Sequence, residues 1–457
     1  MLEKLRAIES KLEFPLIRNQ NYLLILALFS CAILMNYHEM IWNKPVIVSV
    51  VFVLVGLSFL NFRFWWASVA VLAINFVLYI DNLPRLANHS NLELFACMIF
   101  IFVLLRKIYN PAFTIPPVLV SWLFRVSLVT VYFYTGFHKL NTDFFNPCVS
   151  CVNQINEQLY ANFTGNRIQL SAEFSRFFQY STIFIEMILP FGLLWHKSRN
   201  LTTATMLFFH FYLAFSVFAD FEAFALFMLI GCMIDFNQKT IDKKILMSFK
   251  VYQFLVLLVI FIKPIMHWII RNMSIVDFIH GIIFNIGILI FFITFIKNNQ
   301  TKEDRISRKQ LVFPLVFIVL ISMWTLKAYV GLGNSANLTM FSNLLTEKSR
   351  SNHLLIDTQK TKIFDFEEDN VLILKTHDTL KKHKLENYKI PISEFRYVSR
   401  IYSERFPDVK LNFTILYKND TIVIPDLKNS EYMTTKWWYQ YINFRKIQAE
   451  GPNKCIW

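Results

Sequence analysis

Charged residues are scarce in this 457-residue chain, of which Asp, Glu, Lys and Arg make up only 17%. In soluble domains, charged residues usually make up about a quarter of the chain, so the composition argues against a soluble globular protein. Charged residues are rarest in long apolar runs between residues 20 and 330. Each run is close in length to the roughly 20 residues that a helix needs to cross a bilayer. The sequence therefore predicts an integral membrane protein with several spans.

Other absences narrow the class of function. No motif combines basic and aromatic residues for nucleic acid, so we assign the net charge of +14 to basic loops of a membrane protein and expect no nucleic-acid partner. The chain has no inverted repeat and few paired spans broken by Gly or Pro, which argues against a transporter. No second Cys/His pair lies near the CVSC segment, so we expect no metal ion.

The apolar runs predict a membrane all-α helical bundle of 10 or 11 spans. The predicted spans are 21–39, 45–61, 64–81, 91–105, 118–138, 178–195, 200–218, 221–236, 251–270 and 274–296, with 311–330 as the eleventh. Residues 1–20 lack a signal-peptide cleavage site, and their charged, helix-periodic pattern predicts an amphipathic segment on the cytoplasmic surface. Three regions result: 1–20, a bundle at 21–330, and 331–457.

Basic residues orient the bundle. With the amino terminus in the cytoplasm, most lysines and arginines near the spans fall on inner segments. The outer segments carry only Lys44, Arg85, Lys139, Arg167, Arg176 and Arg271. This asymmetry follows the positive-inside rule and, with eleven crossings, predicts that residues 331–457 lie outside.

The region 331–457 alternates apolar and polar residues, which predicts strands within IFDF, NVLILKTH, YKIPISEF, KLNFTILYK and TIVIPDL. The KND tripeptide at 418–420 predicts a hairpin turn, and an amphipathic helix is predicted at about 430–447. The region should thus be a small extramembrane α+β domain.

The predicted topology places several residues that could transfer protons on the outer face. Asn88 and His89 follow the third span, and His138 and Lys139 end the fifth. At an apolar helix end, Lys139 could become a neutral general base, with the histidines as proton relays. A snorkelling lysine and hydrogen-bonded helix-end histidines are the alternative interpretation.

Cysteines and buried ionisable residues complete the candidate set. Cys148 and Cys151 form the CVSC pair, for which an outer-face location predicts a local disulfide. Arg125, Glu186, His210 and Lys263 fall within spans, where ionisable groups are usually paired or functional. We expect Arg125 to pair with Glu186, and Glu186 and His210 to line an interior cavity; structural hydrogen bonding between helices is the alternative.

The segment YFYTGFHKLNTDFF resembles the lysine segment of vitamin K-dependent gamma-carboxylases, and NHS at 88–90 resembles their histidine loop. More widely, the aromatic-rich G-x-x-K-L segment, MFSNLLTE and SNHLL resemble the bacterial horizontally transferred transmembrane (HTTM) domain family. The resemblance covers roughly residues 10–355. It implies a multi-pass protein of the bacterial inner (cell) membrane.

The resemblance also implies a chemistry. Lys139 would be the base that deprotonates a reduced quinone, either reduced vitamin K or menaquinone, and His89 would support this step. His138 stands where the carboxylases have a second lysine, and we group it with Lys139 as a candidate catalytic residue. Reaction of the quinol anion with dioxygen would then yield a strongly basic alkoxide. This alkoxide would take a γ-proton from a glutamate side chain, and carbon dioxide would add to the resulting carbanion. From their positions within the spans and on the outer face, we also expect Asn88, Glu186 and His210 to contribute to the quinone site. The implied partners are the lipid bilayer, an isoprenoid quinone and a protein or peptide substrate.

Two functional hypotheses follow from these residues. The first is an enzyme of the gamma-glutamyl carboxylase type (a lyase) that depends on a quinol. The second is a non-enzymatic membrane protein that binds quinone or lipid, or assists assembly. They differ in whether the amine of Lys139 is chemically required.

Overall fold

The computed structural model describes residues 19–61, 64–110, 112–113, 115–166, 168–215, 219–270, 273–299 and 306–455. The predicted amphipathic segment at 1–20 lies almost entirely outside these residues. Within them the chain is mostly helical, with one small antiparallel sheet near its carboxyl end.

Helices occupy the apolar runs. They are α1 Gln20–Asn36, α2 Pro45–Leu60, α3 Trp65–Tyr79, α4 Asn88–Tyr109, α5 Pro117–Phe137, α6 Cys151–Thr164, α7 Ala172–Ile183, α8 His196–Ala214, α9 Ala219–Met233, α10 Lys243–Ile270, α11 Met273–Asn298 and α12 Val312–Leu326. Local signals fix several starts: Asn19 accepts a hydrogen bond from the Asn21 N–H as the cap of α1, and proline begins α2 and α5.

Five helical segments in the described part of the chain are long and apolar enough to cross a membrane. They are Trp65–Asn82, Pro117–Phe137, Ala172–Leu194, Lys243–Ile270 and Val276–Asn298; shorter apolar helices are Gln20–Asn36, Pro45–Leu60, Phe221–Met233 and Val312–Leu326. These helices are consistent with a multi-pass membrane protein.

The predicted span at 178–195 is not one regular helix. It comprises the end of α7, a π-helical turn at Phe184–Ile188 and a 3-10 helix at Leu189–Leu194. The amphipathic helix α6 before it was not predicted from the sequence.

The described chain forms two compact units. The first comprises Met1–Asp81, His89–Thr130 and Leu189–Ile318, and the second comprises Asn82–Asn88, Val131–Ile188 and Val319–Trp457. The residues after 330 thus share their unit with two earlier segments of the chain.

Aromatic packing forms much of the core of the first unit. The ring of Phe29 in α1 stacks on that of Phe227 in α9, with centroids 4.5 Å apart, and Phe124 of α5 meets Phe227 edge-on. In α10, Tyr252 packs against Phe284 and Phe291 of α11. Large flat side chains fill space between helices at little cost in conformational entropy.

The sheet in the second unit has the strand order β4-β3-β1-β2-β5. Its strands are β1 Asn370–Thr376, β2 Tyr388–Pro391, β3 Phe413–Tyr417, β4 Asp420–Ile424 and β5 Ile447–Gln448. After the four-residue helix α13 Thr358–Thr361, helix α14 Ile392–Arg405 covers one face, where Phe395 meets Phe413 in the core.

The predicted hairpin turn is confirmed. Lys418 and Asn419 connect β3 to β4, and both have positive φ, which matches the twist of the strands on either side. The predicted strand in IFDF is wrong, and YKIPISEF continues from β2 into α14 rather than remaining a strand.

The helix predicted at 430–447 is also wrong. The chain there forms 3-10 turns at Glu431–Met433 and Trp437–Tyr441 and then enters β5. The guanidinium of Arg85 donates to the carbonyls of Tyr439, Gln440 and Ile442, and it also pairs with Glu394 at 2.6 Å. Carbonyls that converge on one guanidinium do not point along a common axis, as the carbonyls of an α-helix do.

Candidate functional site

Lys139 and Glu186 form a buried ion pair in the second unit. Lys139 lies two residues beyond the end of α5, and its Nζ is 2.7 Å from Oε2 of Glu186. Nζ also donates to the carbonyl of Thr135 at 3.2 Å. The side chains are only 4% and 10% exposed, so the pair interacts with little screening by water.

Glu186 owes its position to the π-helical turn Phe184–Ile188. A π-helical turn holds one residue more than an α-helical turn and so re-aims the side chains that follow; such turns are often found at functional sites. The sequence identified Glu186 as an intramembrane carboxylate but paired it with Arg125. This pairing is corrected: Glu186 pairs with Lys139, and Nε of Arg125 donates to the Cys232 carbonyl at 2.9 Å.

Gly136 permits the close approach of α5 to the turn that carries Glu186. A Cβ atom at Gly136 would lie 2.5 Å from Cγ of Met187 and 3.1 Å from Cβ of Glu186. The glycine of the G-x-x-K-L segment is therefore required by packing next to the ion pair.

We predict that Gly136→Ala destabilises the protein by about 1–3 kcal/mol, because Met187 and the backbone behind it must move to accept the methyl group. Thermal unfolding in detergent measures this effect. Gly281→Ala is the control, since a Cβ there meets nothing within 4 Å and helix propensity favours alanine. Equal melting of the Gly136→Ala and parent proteins would contradict the packing role.

His138 is fully buried beside Lys139 and hydrogen-bonds through Nδ1 to the hydroxyl of Tyr329 at 2.8 Å. Burial lowers the pKa of His138 to about 3, with further lowering by His353 and Lys139. The imidazole is therefore neutral at physiological pH. It can orient Tyr329, but it carries no charge that would stabilise an anion there.

Asparagine side chains fix the loop that follows Lys139. The Asn141 amide donates to the carbonyls of His138 and Ser342, and its carbonyl accepts from the Phe144 N–H. Asp143 accepts from the side chain of Asn352 at 3.0 Å and from the backbone N–H of Asn453 at 2.7 Å. The segments around 342–353 and 453 thus hold the loop in place.

The predicted Cys148–Cys151 disulfide is corrected. Cys151 is bonded to Cys455, 304 residues away in sequence, and Cys148 is a free, exposed thiol. The cause is tertiary: Asn343 accepts from the Cys151 N–H and donates to the Asn453 carbonyl, which brings the end of the chain to the start of α6.

The remaining predicted site residues are divided between the two units. Asn88, at the start of α4, accepts a hydrogen bond from the Leu338 N–H at 2.7 Å within the second unit. His89 and His210 belong to the first unit, where both rings contact Phe221, with centroids 5.5 Å and 4.9 Å away. His89 also interacts with the Asn36 side chain. The structure brings His138, Lys139 and Glu186 together in one unit.

A buried ionic cluster in the second unit was not predicted from the sequence. Lys362 Nζ lies 2.7 Å from both Glu367 and Glu368, and Glu367 accepts from Thr346. Burial and the charge of Glu367 raise the pKa of the nearby Glu347 to about 7. The acidic residues of KIFDFEED were the sequence feature that could have indicated this cluster, but an acidic run of this kind is also typical of an exposed loop.

No protein-family model, curated protein or solved structure matches this chain.

Proposed function

We propose that this chain is a multi-pass membrane enzyme in which Lys139 deprotonates a reduced isoprenoid quinone such as menaquinol or reduced vitamin K. The observation that supports the proposal is the buried Lys139–Glu186 pair at the end of α5. The ultimate reaction that we propose, from the resemblance, is carboxylation of glutamate in a protein or peptide substrate.

Glu186 gives Lys139 a route to its reactive form. A general base must be a neutral amine, and an ammonium beside a carboxylate can become one by passing a proton across the 2.7 Å contact. That transfer removes two charges from a buried site, where isolated charges are costly. The amine can then accept a proton at Nζ, which leaves an ammonium beside a carboxylic acid.

The residues around the pair suit an uncharged, apolar substrate that carries an ionisable hydroxyl. Both side chains of the pair are shielded from water, and the neighbouring His138 is neutral and bonded to Tyr329. A quinol would supply the ionisable hydroxyl, and the protein would supply the acceptor Nζ. Exclusion of water strengthens each electrostatic interaction at such a site.

We expect Lys139→Arg to lower quinol-dependent oxygen consumption by about 10²- to 10⁴-fold, the usual contribution of a positioned base. Arginine retains a positive charge for Glu186 but stays protonated. The assay uses proteoliposomes, reduced menaquinone and an oxygen electrode. Lys263→Arg is the matched control, because Lys263 is equally buried and lies 2.9 Å from Asp277.

Two results would overturn this proposal. If Lys139→Arg consumed oxygen as fast as the parent, Lys139 would not be the base. If the parent bound reduced menaquinone but did not turn it over, the non-enzymatic quinone-binding alternative would replace the enzyme.

We further propose a bacterial inner-membrane location, from the resemblance. From the asymmetry in basic residues we propose that the amino terminus is in the cytoplasm and that the residues after 330 are outside. A reporter that is active only outside the cytoplasm, fused after residue 340, is expected to be active, and one fused after Lys243 inactive. The reverse pattern would place Lys139 on the cytoplasmic face.

A further inference from the structure

Aromatic side chains form a surface in the second unit, next to the 3-10 turn that precedes β5. Trp437, which is 78% exposed, and Tyr441 belong to this turn, with ring centroids 6.0 Å apart. Trp438 contacts Phe366 at 5.1 Å between centroids, and Phe366 stacks on the exposed Phe364 at 5.8 Å. We call these five residues the aromatic surface. Large apolar groups left in water are unfavourable, so a partner that covers them is expected.

One part of the aromatic surface is tied to the end of an apolar helix. The backbone N–H groups of Ile363 and Phe364 both donate to the carbonyl of Val330, at 3.1 and 3.0 Å. Val330 lies four residues beyond the end of α12, on which Leu320 and Met323 are exposed. An apolar helix whose side chains are not covered by protein suits a lipid environment.

Another part is tied to the end of a second apolar segment. Arg85 lies three residues beyond Trp65–Asn82, which is long and apolar enough to cross a membrane. The Arg85 guanidinium donates to the carbonyls of Tyr439 at 2.9 Å and Ile442 at 2.8 Å, on either side of Tyr441. The aromatic surface is thus held within a few residues of the ends of two apolar helices. Such ends are where a membrane-spanning chain leaves the hydrocarbon.

The chemistry of the aromatic surface suits the head-group layer of a bilayer. Tryptophan and tyrosine concentrate in that layer because their rings are apolar while their N–H and O–H groups need polar partners. Asp365, between the two phenylalanines, is paired with Lys348, and Nζ of Lys436 lies 5.6 Å from the centre of the Trp438 ring. Charged groups of this kind are tolerated among head groups but are unfavourable in hydrocarbon.

We propose that the aromatic surface lies in the head-group layer of the membrane, with the β5 edge of the sheet towards the bilayer and β4 away from it. The strand order β4-β3-β1-β2-β5 separates these edges by four spacings, or about 19 Å. The head-group layer is only about 5–7 Å thick, so β4 lies in water. This placement does not depend on the chemistry of Lys139.

Nitroxide labels on the protein in proteoliposomes test the placement. Labelling starts from Cys148→Ser, because the other free cysteines in the described part of the chain are buried. Trp437→Cys carries the test label, and Tyr441→Cys repeats the test with both tryptophans of the turn retained. Val423→Cys is the matched control, since Val423 is an apolar residue of β4 that is 70% exposed. Leu320→Cys on α12 gives the reference for hydrocarbon.

Power-saturation EPR measures how often each label collides with oxygen and with a polar nickel chelate. Oxygen concentrates in the bilayer, whereas the chelate stays in water because it would lose its hydrogen bonds in hydrocarbon. We expect the ratio of oxygen to chelate collisions to be several-fold higher at Trp437 and Tyr441 than at Val423, and highest at Leu320.

Three results would overturn the proposal. Equal ratios at Trp437 and Val423 would place the aromatic surface in water. A label at Trp437 that is shielded from both reagents would assign the surface to a protein partner, such as a second copy of the chain. A ratio at Leu320 as low as at Val423 would remove α12 from the bilayer and the aromatic surface with it.

Discussion

Lys139→Gln is expected to lower the free energy of unfolding by about 3–5 kcal/mol and to abolish quinol-dependent oxygen consumption. Glutamine leaves the carboxylate of Glu186 buried without its cation, and a buried uncompensated charge is far more costly than the loss of a surface ion pair. Thermal unfolding in detergent, together with the oxygen electrode, measures both effects.

The double variant Lys139→Gln/Glu186→Gln separates stability from chemistry. Two neutral amides can hydrogen-bond to each other, so most of the lost stability should return. Oxygen consumption should not return, because neither amide accepts a proton usefully. Recovered activity in the double variant would rule out the pair as the proton acceptor.

An exposed pair in the same unit provides the stability control. Lys348 and Asp365 are 2.6 Å apart, but their side chains are 37% and 66% exposed. Water and salt screen such pairs, so Lys348→Gln should change the melting temperature little. Equal destabilisation by Lys348→Gln and Lys139→Gln would mean that the burial of the Lys139 pair has no energetic consequence.

Cys455→Ser is the second substitution with a large expected effect, at about 2–5 kcal/mol of lost stability. The Cys151–Cys455 bond closes a very long segment of chain, and long closures restrict the unfolded ensemble most. Its loss also frees the end of the chain, whose Asn453 holds Asp143 in the loop after Lys139. Thermal unfolding with and without reductant measures the change.

Cys148→Ser is the matched control, because Cys148 is exposed and unbonded. It should melt like the parent, and reductant should destabilise it as much as the parent. Peptide mapping after thiol blocking should recover Cys148 alkylated and Cys151 linked to Cys455. A peptide linking Cys148 to Cys151 would refute this pairing.

Features encoded by neighbouring residues were predictable from sequence. Apolar runs identified the positions of the helices, because burial in lipid or in a bundle needs only enough consecutive apolar side chains. Alternation identified β1, β3 and β4, and KND identified their hairpin, because turn geometry depends on a few adjacent residues. The proposal of Lys139 as a site residue also came from its local context at an apolar helix end.

The tertiary structure alone decided which distant groups meet. Glu186 pairs with Lys139 rather than Arg125 because a π-helical turn and Gly136 bring it there. Cys151 bonds to Cys455 rather than Cys148, and Arg85 binds the carbonyls that a helix at 430–447 would have used. Periodicity reports which face of a segment is apolar, whereas pairing depends on where folding places residues tens to hundreds of positions apart. The composition and local pattern thus indicated a helical protein whose apolar runs are consistent with membrane spans, and packing determined its candidate site.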